Sequence, residues 1–576
     1  MHWNDEESYE KWNPKKGNIY AFQTHNKAEN TYGNNISVPM AERAVKVIPE
    51  VKDFVLFNGS GMGYKMTTKY KTVYQQDGMS ASESFFNFFP FKLVSGSYKD
   101  ALKGDKVIAL STKAAKNLFG KTNVAGETVK FDNRNYVVTA VYELPTENSQ
   151  IKPEFIIVPF EQMKNDKEQW GNFNYGCFFL LKPGTDVEAL QQKFYDNIFL
   201  FRAKRDAQGA GISPVKYLEL YGPTGSLFTP IDEIKLHAKA SWFGNGDFKT
   251  MMILFTLSVL IVILSAINFI NLKTAQASQR AKEIGVRKAI GSTKSNLVLQ
   301  FLLETFIICF ASYVLALALT ELLLPSFNKF YDKEIVMNDW RIYYYSFAMV
   351  LAVTLISGLI PATYLANFKA IETLKGNFAR SKHGVWLRNG ILTLQLIISS
   401  FFIICSLIIH SQVSYMMNKD LGFKGDQVIH IQFKKTDWQN DYNSKKYIRL
   451  KNEVSKIEGV EDITGSVNTI GWGMSNASSV KNALDTTKSV PNVLVGGIDY
   501  NYFKFYKMKF ASGRDLDLRF ASDTINGTVA NESFIKKMGW NKDQALGKEV
   551  YPGWEQKKKY KILGGVKDFY INGVDK

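Results

Sequence analysis

Four stretches of the chain are apolar and long enough to cross a lipid bilayer. About 20 consecutive apolar residues are needed to span the ~30 Å hydrocarbon core. The first stretch contains no charged residue, whereas a buried helix of a soluble protein, the alternative, normally keeps a polar face. The pattern therefore predicts four membrane-spanning helices. They cover residues 250–272, 301–324, 342–366 and 391–413.

The regions outside these stretches mix helical and strand patterns. Residues 38–47 and 441–457 have helical composition and spacing. Residues 136–144 and 560–566 are short β-branched or alternating runs bounded by turn residues. We therefore expect an α-helical transmembrane protein with two α+β domains outside the membrane, each built on small sheets.

These two outside regions also resemble each other, in the same order along the chain. Gly96 and Gly126 of the first region align with Gly513 and Gly547 of the second, and the offset between matched positions grows smoothly from 409 to about 425. Chance similarity between apolar segments would not keep this order. The matched segments are 45–54 with 454–463, 85–96 with 502–513, 123–131 with 544–552, and 135–141 with 559–566.

The repeat predicts a doubled unit consisting of one span, one outside domain and three spans. In such a unit a further span would precede residue 1 and three more would follow residue 576. The polar start of the chain, which has no apolar export signal, favours the same expectation. The predicted organisation is a first extracytoplasmic domain at 1–249, a membrane domain at 250–390 with a loop at 273–300 between its first two spans, a span of the second half at 391–413, and an incomplete second extracytoplasmic domain at 414–576.

Charge sets the expected orientation. The net charge is +17, and residues 250–413 carry 14 basic and only 7 acidic residues. The loops between the first and second spans and between the third and fourth spans are strongly basic, which predicts that both are cytoplasmic. Both large domains then lie outside the cytoplasm. The sequence has no basic helix with interleaved aromatic residues of the kind found in nucleic-acid-binding proteins, so nucleic acid is not an expected partner.

Motifs for catalysis or cofactor binding are not found in the sequence. Residues 115–122 end like a phosphate-binding loop, but they lack its first glycine and follow a helical pattern. We interpret the glycine-rich residues 59–63 as a surface loop. The three cysteines and six histidines have no metal-ligand spacing. We therefore expect no catalytic residue, no bound metal and no cofactor held directly by this chain.

A few polar residues fall within the predicted spans. Asn268, Asn271 and Gln395 would be costly in lipid without partners, so we expect them to face other helices. Glu304 and Glu321 lie near opposite ends of the second span, where extension to the membrane surface is favoured over a proton relay. The predicted spans show no buried charged pair of the kind expected in an ion-driven carrier.

The segment between the first two spans has the most specific pattern. Residues 274–289 have helix-forming composition, Gly291 could end that helix in a left-handed conformation, and Ser292 could cap the next helix. A short basic helix would then lie at the inner membrane surface, rigidly continuous with two spans. An ordinary positively charged cytoplasmic loop is an equally good interpretation of these residues alone.

At this segment the chain closely resembles the MacB/FtsX-type permeases of ABC transporters. Their core has the form N-x-x-x-L-x-x-A-x-x-x-x-R-x-K-E-I-G-V-R-K-x-x-G. The chain matches it with Asn268, Leu272, Ala275, Arg280, Lys282, Glu283, Ile284, Gly285, Val286, Arg287, Lys288 and Gly291. The outside domains are similar to the MacB-type periplasmic core domain. The departure is that this chain holds one such core segment where the doubled eight-span form has two.

The resemblance implies a non-catalytic permease subunit of the bacterial inner membrane. ATP and Mg²⁺ would be bound by a separate cytoplasmic ATPase dimer, which would grip the segment between the spans and thereby move the periplasmic domains, a process called mechanotransmission. A periplasmic adaptor or envelope protein is a further expected partner, besides the lipid bilayer. The expected coupling residues are Arg280, Lys282, Glu283, Ile284, Gly285, Arg287, Lys288 and Gly291. The alternative is a membrane-anchored receptor or scaffold that works without an ATPase.

Overall fold

A computed structural model describes most of the chain. The contacts divide it into two compact units, residues 1–402 and 403–576, which are described separately. The division falls inside one long helix, so the predicted domain boundaries stay predictions. The described residues are 2–26, 30–131, 134–209, 211–221, 224–240, 243, 246–331, 333, 335–366, 382–431, 442–467, 470–471, 477–485, 488–553 and 558–571.

The first unit begins with a mixed domain, called here the first module, that precedes the long helices. Its helices are α1 His2–Glu7, α2 Val38–Val47, α3 Phe85–Phe88, α4 Thr112–Phe119, α5 Phe160–Asn165, α6 Val187–Phe194, α7 Leu200–Gly209, α8 Pro214–Tyr221 and α9 Ile234–His237. Its strands are β1 Ile19–Asn26, β2 Thr31–Gly33, β3 Val51–Thr67, β4 Thr72–Ala81, β5 Leu93–Ser95, β6 Val107–Ser111, β7 Thr128–Phe131, β8 Arg134–Tyr142, β9 Phe155–Ile157, β10 Gly176–Leu181 and β11 Thr224–Pro230.

One mixed sheet holds all the described strands of this module. Its order is β11-β1-β10-β3-β4-β9-β6-β8-β5, with β2 beside β1 and β7 pairing with both β3 and β8. Most pairs are antiparallel, while β4 with β9 and β6 with β8 run parallel. The expected mixture of helices and strands is confirmed, but the prediction of small sheets was wrong here. The long strands β3 and β4 continue one sheet through the whole module.

Burial on both faces of the sheet explains its central strands. Val55 and Phe57 lie in one apolar cluster, and Leu56 lies in another on the opposite face. The same alternation follows β6, where Ala109 and Leu110 enter different clusters. Since successive side chains of a strand point to opposite faces, each covered face needs its own apolar set. Helices α2 and α6 cover one of the faces.

The glycine-rich residues 59–63 are part of strand β3, which corrects the expected surface loop. The pairing of β3 with β4 shifts register between Asn58 and Met62 and again between Met62 and Tyr64. Gly59 has a φ of 76°, which is a left-handed conformation. Extra residues in one strand of a pair produce such irregularities, and glycine is a frequent member of them. The glycines therefore mark a bulged strand.

Four long apolar helices follow the predicted spans. They are α10 Phe248–Ala289, α11 Lys294–Tyr331, α12 Trp340–Ala366 and α13 Lys382–Asn418. Their membrane-compatible portions are residues 248–273, 294–331, 340–363 and 392–418. Four helices of the described residues are thus long and apolar enough to span a membrane, and they overlap the four predicted stretches, although each helix extends beyond its apolar stretch.

Helices α11 and α12 approach each other closely at small residues. A Cβ added at Gly358 would come within 2.9 Å of Leu302 Cδ2. Ser357 and Thr305 are buried at the same contact. Small side chains allow membrane helices to pack at short distance. Helix α12 continues through Pro361 to Ala366.

The second unit carries a smaller mixed domain, called here the second module. Its helices are α14 Tyr442–Val454, α15 Tyr502–Phe505, α16 Ala521–Asn526 and α17 Glu532–Lys537. Its strands are β12 Ala477–Asn482, β13 Ser489–Leu494, β14 Phe510–Gly513, β15 Gly527–Asn531, β16 Glu549–Pro552 and β17 Tyr560–Val566. They form the sheet β13-β12-β16-β17-β14, with β15 paired to β17.

The internal repeat is confirmed by the topology of the two modules. In the first, β8 pairs parallel with β6 and antiparallel with β5 and β7. In the second, β17 pairs parallel with β15 and antiparallel with β14 and β16. Each parallel strand leads into a capped helix, with Ser111 accepting from the Ala114 N–H and Asn531 accepting from the Phe534 N–H.

Two matched glycines show that the repeat extends to backbone detail. Gly96 has a φ of 89° and Gly513 a φ of 69°. A Cβ at Gly96 would lie 2.3 Å from the carbonyl oxygen of Thr139, and one at Gly513 would lie 2.3 Å from that of Leu563. No side chain could be added at either position without moving backbone. The shared glycine therefore reflects one close backbone approach, present in both copies.

Candidate functional site

The turn between α10 and α11 is closed by a regular helix-ending motif. Gly291 has a φ of 104° and donates its N–H to the Lys288 carbonyl at 3.1 Å. The Ser292 N–H reaches the Arg287 carbonyl at 2.9 Å. This pair of bonds defines a Schellman ending, which requires a left-handed residue at the glycine position. The prediction that Gly291 ends the helix is confirmed.

The cap at this turn differs from the sequence expectation. The residue that caps α11 is Thr293, whose Oγ1 accepts the Asn296 N–H at 3.3 Å, and not Ser292. Residues 274–289 are helical and continuous with the first span, as expected, because α10 runs through them to Ala289. At 1.5 Å per residue, this extension reaches about 24 Å beyond the apolar part of α10.

A small apolar core joins the end of α10 to the start of α11. Ile284 and Leu297 are each only 2% exposed, and Phe301 packs against them. Gly285 is also buried. Ile284 therefore stabilises the hairpin itself, whereas the resemblance implied that it is one of the residues that couple to the ATPase. We call residues 283–301 the inner hairpin.

A polar chain crosses the inner hairpin beside this core. Glu283 and Arg287 form an ion pair at 2.7 Å, one helical turn apart. Arg287 also donates a hydrogen bond across the turn to the Gln300 side chain. Gln300 in turn donates to Glu304 at 3.3 Å. Arg287 therefore links the two helices, and the predicted coupling residues Glu283 and Arg287 belong to one connected group.

The tip of the inner hairpin exposes apolar side chains. Ile290 is 82% exposed and Val286 is 45% exposed. An exposed isoleucine at the end of a long helix can enter an apolar groove of a partner without any rearrangement. Arg280 and Lys282 lie on the same helix, but their side chains fall outside the described part of the structure. Lys288 is partly exposed beside the tip.

The polar residues of the spans differ in their surroundings. Asn268 lies on an exposed side of α10. Asn271 is partly buried, and its Nδ2 has no hydrogen-bond partner among the described residues. Gln395 on α13 is partly exposed. Their expected packing against other helices stays a prediction.

A second charged cluster, which no sequence pattern indicated, lies at the other end of the helices. Among the described residues, His2, Asp5 and Glu6 are the group whose ligand atoms come close enough to hold a metal ion, within 4.8 Å of one another. However, both carboxylates already accept hydrogen bonds from the ammonium of Lys333. Sequence reasoning missed this cluster because Lys333 lies more than 320 residues away along the chain.

Comparison with known protein families matches two parts of the chain. Residues 255–370 match the FtsX-like permease C-terminal family, and residues 4–195 match the MacB-like periplasmic core domain. The first match contains the inner hairpin and the second contains most of the first module.

Individual relatives agree with these matches. The macrolide export ATP-binding/permease protein MacB of Mannheimia succiniciproducens is 25% identical over 276 residues, covering 47% of this chain and 38% of that protein. The MacB protein of Campylobacter jejuni is 26% identical, covering 48% of this chain and 40% of that protein. The uncharacterized ABC transporter permease YknZ of Bacillus subtilis is 21% identical, covering 51% and 68%. The matched region thus spans about two fifths of the MacB relatives.

Solved structures similar to the chain include two extracytoplasmic domains. The periplasmic region of MacB from Actinobacillus actinomycetemcomitans has 16% identity and a TM-score of 0.26, covering 37% of this chain and 90% of that one. The extracellular domain of YknZ from Gram-positive bacteria has 14% identity and a TM-score of 0.26, covering 36% and 100%.

Proposed function

We propose that the chain is a permease of the MacB/FtsX family of ABC transporters, as its matches to the two family models indicate, and that it converts ATP hydrolysis by a separate cytoplasmic ATPase into movement of its periplasmic modules. It is an inner-membrane protein with periplasmic domains and the non-enzymatic permease part of its transporter. The movement would serve export or extraction of peptides, drugs or lipoproteins, or control of an envelope enzyme.

The construction of the inner hairpin is the observation that carries this proposal. A partner can move membrane helices from the cytoplasm only through a segment that does not deform when it is pushed. Here α10 runs unbroken from the membrane to the turn, the Schellman ending fixes the turn, and the Ile284–Leu297 contact fixes the two helices against each other. A push on the tip would therefore be passed to both α10 and α11.

The chemistry of the tip suits a protein partner. Ile290 provides an exposed apolar anchor, and the Glu283–Arg287 pair provides charges of both signs beside it. Apolar anchors in a groove with polar groups around them are the usual form of helix docking. We assign ATP and Mg²⁺ to the ATPase partner, since residues 115–122 are the last five residues of α4 and the three that follow it, and not a phosphate-binding loop.

Co-expression with an ABC ATPase chosen from the neighbouring coding sequences would test the proposal. Wild-type chain should co-purify with the ATPase and stimulate its ATP hydrolysis. Ile290→Asp should reduce both, because a carboxylate would have to be buried without a partner in the apolar groove. Val215→Asp is the matched control, since Val215 is similarly exposed at 68% but lies in the first module on α8.

Two results would contradict the proposal. One is a wild-type chain that neither binds nor stimulates the ATPase, which would favour the receptor or scaffold alternative if the modules then bound a periplasmic ligand. The other is an Ile290→Asp variant that binds and stimulates as well as the Val215→Asp control does.

A further inference from the structure

A charged cluster fastens the first module to the segment that follows α11. The Lys333 ammonium donates to Asp5 at 2.8 Å and to Glu6 at 2.5 Å. The three side chains are only 15%, 18% and 9% exposed. The Tyr9 ring lies 5.4 Å from the same ammonium, with its hydroxyl at 3.5 Å. We call Asp5, Glu6 and Lys333 the outer clamp.

Burial makes the members of the outer clamp dependent on one another. Desolvation alone would lower the pKa of Lys333, but the hydrogen bonds to Asp5 and Glu6 outweigh it and raise the pKa, so the lysine stays charged. Removing Lys333 would leave two largely buried carboxylates without their cationic partner, which is far more costly than breaking a surface pair. The outer clamp therefore depends on Lys333.

Lys333 is fixed to the end of α11. Its N–H donates to the Asn328 carbonyl at 2.9 Å. The Asn328 side chain donates to the Ile335 carbonyl at 2.8 Å and accepts the Ile335 N–H at 3.2 Å. These bonds fold the segment after α11 back onto the last turns of the helix. A displacement of α11 must therefore carry Lys333 with it.

The other side of the clamp is fixed to the first module. Asn148 donates to the Asp5 carboxylate at 2.7 Å, and its carbonyl accepts the Glu10 N–H at 3.0 Å. The buried Glu10 carboxylate accepts from the Ser149 hydroxyl at 2.7 Å and from the Gln150 N–H at 2.6 Å. Helix α1 is thus tied to residues 148–150 of the module.

Aromatic contacts seat α1 against the outer ends of two helices. The Trp3 ring lies 6.1 Å from Phe248 and 5.5 Å from Phe255, both on α10. The His2 ring lies 6.2 Å from Phe327 on α11. These contacts align α1, and the outer clamp supplies the charged connection.

We propose that the outer clamp is the connection through which α11 passes its displacement to the first module, with Lys333 as a positioning residue for coupling. The inner hairpin holds the start of α11 and the clamp holds its end, about 57 Å away for a helix of 38 residues. One continuous helix therefore joins the two. This inference rests on the proposed function for the origin of the movement, but the clamp itself can be tested without an ATPase.

The first experiment measures whether Lys333 holds α1 in place. Hydrogen exchange of residues 2–9 is followed in the full chain in lipid nanodiscs. Lys333→Glu should accelerate exchange at least about tenfold, because two carboxylates would then face a third. Lys329→Glu is the matched control, since Lys329 is exposed and lies four residues earlier on α11. The charge-swapped Asp5→Lys, Glu6→Lys, Lys333→Glu variant should return the rate to within about threefold of wild type.

The second experiment measures coupling. With the ATPase bound, Lys333→Glu should lower the stimulation of ATP hydrolysis at least about fivefold, the lower end of ordinary coupling between sites, while co-purification is unchanged. The swapped variant should recover stimulation. Unchanged exchange in Lys333→Glu would overturn the clamp, and faster exchange with full stimulation would reduce it to a purely structural contact. Failure of the wild-type chain to bind the ATPase would instead defeat the proposed function, and the exchange result would still decide whether the clamp exists.

Discussion

Glu10 is an acid that the fold holds in an unusual environment. Glu10 is only 1% exposed, and its backbone has a φ of 58°. Burial raises its pKa to about 6, although hydrogen bonds from Ser149, Gln150, Ile151 and Trp12 oppose the rise. The carboxylate is retained because it joins α1 to residues 149–151, and part of the stability of that connection therefore depends on pH.

The sign of this pH dependence follows from the direction of the shift. The pKa of Glu10 lies above its ordinary value of 4.5, so between these values the folded state binds more protons than the unfolded state. The contribution of Glu10 to the free energy of unfolding is complete below about pH 4.5 and is lost as the pH rises through 6. This contribution amounts to about 2 kcal/mol. We predict that thermal unfolding at a series of pH values shows this decline in wild type relative to Glu10→Gln. The exposed Glu188→Gln control should keep the wild-type profile, and a Glu10→Gln profile parallel to wild type would contradict the prediction.

Gly96 allows backbone strain and steric clash to be separated by experiment. Gly96 and Gly126 share a φ of 89°. A Cβ added at Gly96 would clash with neighbouring backbone atoms, whereas a Cβ added at Gly126 would lie in open space. We predict that Gly126→Ala costs about 1 kcal/mol, from the left-handed conformation alone. Gly96→Ala should cost roughly 2 kcal/mol more, because packed backbone must move.

The thiol of Cys177 offers a readout for this comparison. Cys177 is 2% exposed in the first module, and burial raises its pKa well above the usual value, so it reacts only when the module opens. Maleimide labelling during heating, with Cys309 and Cys405 replaced by alanine, should show the lowest midpoint for Gly96→Ala. Equal midpoints for the two alanine variants would refute the clash. The same burial means that native Cys177 cannot serve as a topology probe.

At the scale of single residues, the sequence predicted features that depend on local backbone geometry. It did not predict contacts between residues that are far apart along the chain. Gly291 was identified because a glycine after a helical run has a conformational reason to be there. Lys333, by contrast, was not singled out by the sequence. Its partners Asp5 and Glu6 are brought to it by the fold of the whole first module, which no local pattern encodes.

Among the elements, some predicted boundaries match the structure, whereas residues 136–144 and 441–457 correspond to β8 Arg134–Tyr142 and α14 Tyr442–Val454. Residues 38–47 and 560–566 were predicted with the bounds that α2 and β17 have. The extension of α10 was harder to predict, because a charged helix outside the membrane and a charged loop have similar compositions. Strand β3 was missed at residues 59–63, since glycine indicates a turn unless neighbouring strands hold it.

The inner hairpin gives a prediction for an element as a whole. Ile284 and Val286 are both β-branched and lie two residues apart, but they are 2% and 45% exposed. Ile284→Ala should destabilise the hairpin by roughly 2–4 kcal/mol, since it removes buried methyl groups from a small core. Val286→Ala should have little effect on the stability of the hairpin. Amide exchange of residues 284–301 should accelerate only in Ile284→Ala, and equal acceleration in both variants would show that Ile284 is not a core residue.

The whole molecule carries two copies of one module, and the copies are not equivalent. The pairings of β8 and β17 match, as do the close approaches at Gly96 and Gly513. An offset of 409 places Ser414 and Tyr415 where the first copy has Asp5 and Glu6. The second copy therefore has no acidic pair at the position of the outer clamp. If only the first module is held by an outer clamp, the two modules would respond differently to ATP hydrolysis by the same ATPase.

The arrangement across the membrane provides the broadest prediction, because every mechanical argument requires the inner hairpin and the modules to lie on opposite sides. Single cysteines at Ile290, Val215 and Leu518 would report on the hairpin, the first module and the second module, since these side chains are 82%, 68% and 70% exposed. In intact spheroplasts, a membrane-impermeant maleimide should label the cysteines at 215 and 518 and leave 290 unlabelled. Permeabilisation should then expose position 290 to the reagent. Labelling of 290 in intact spheroplasts, or protection of either module until permeabilisation, would place the hairpin and that module on the same side, and a push on the tip could not then be delivered across the membrane.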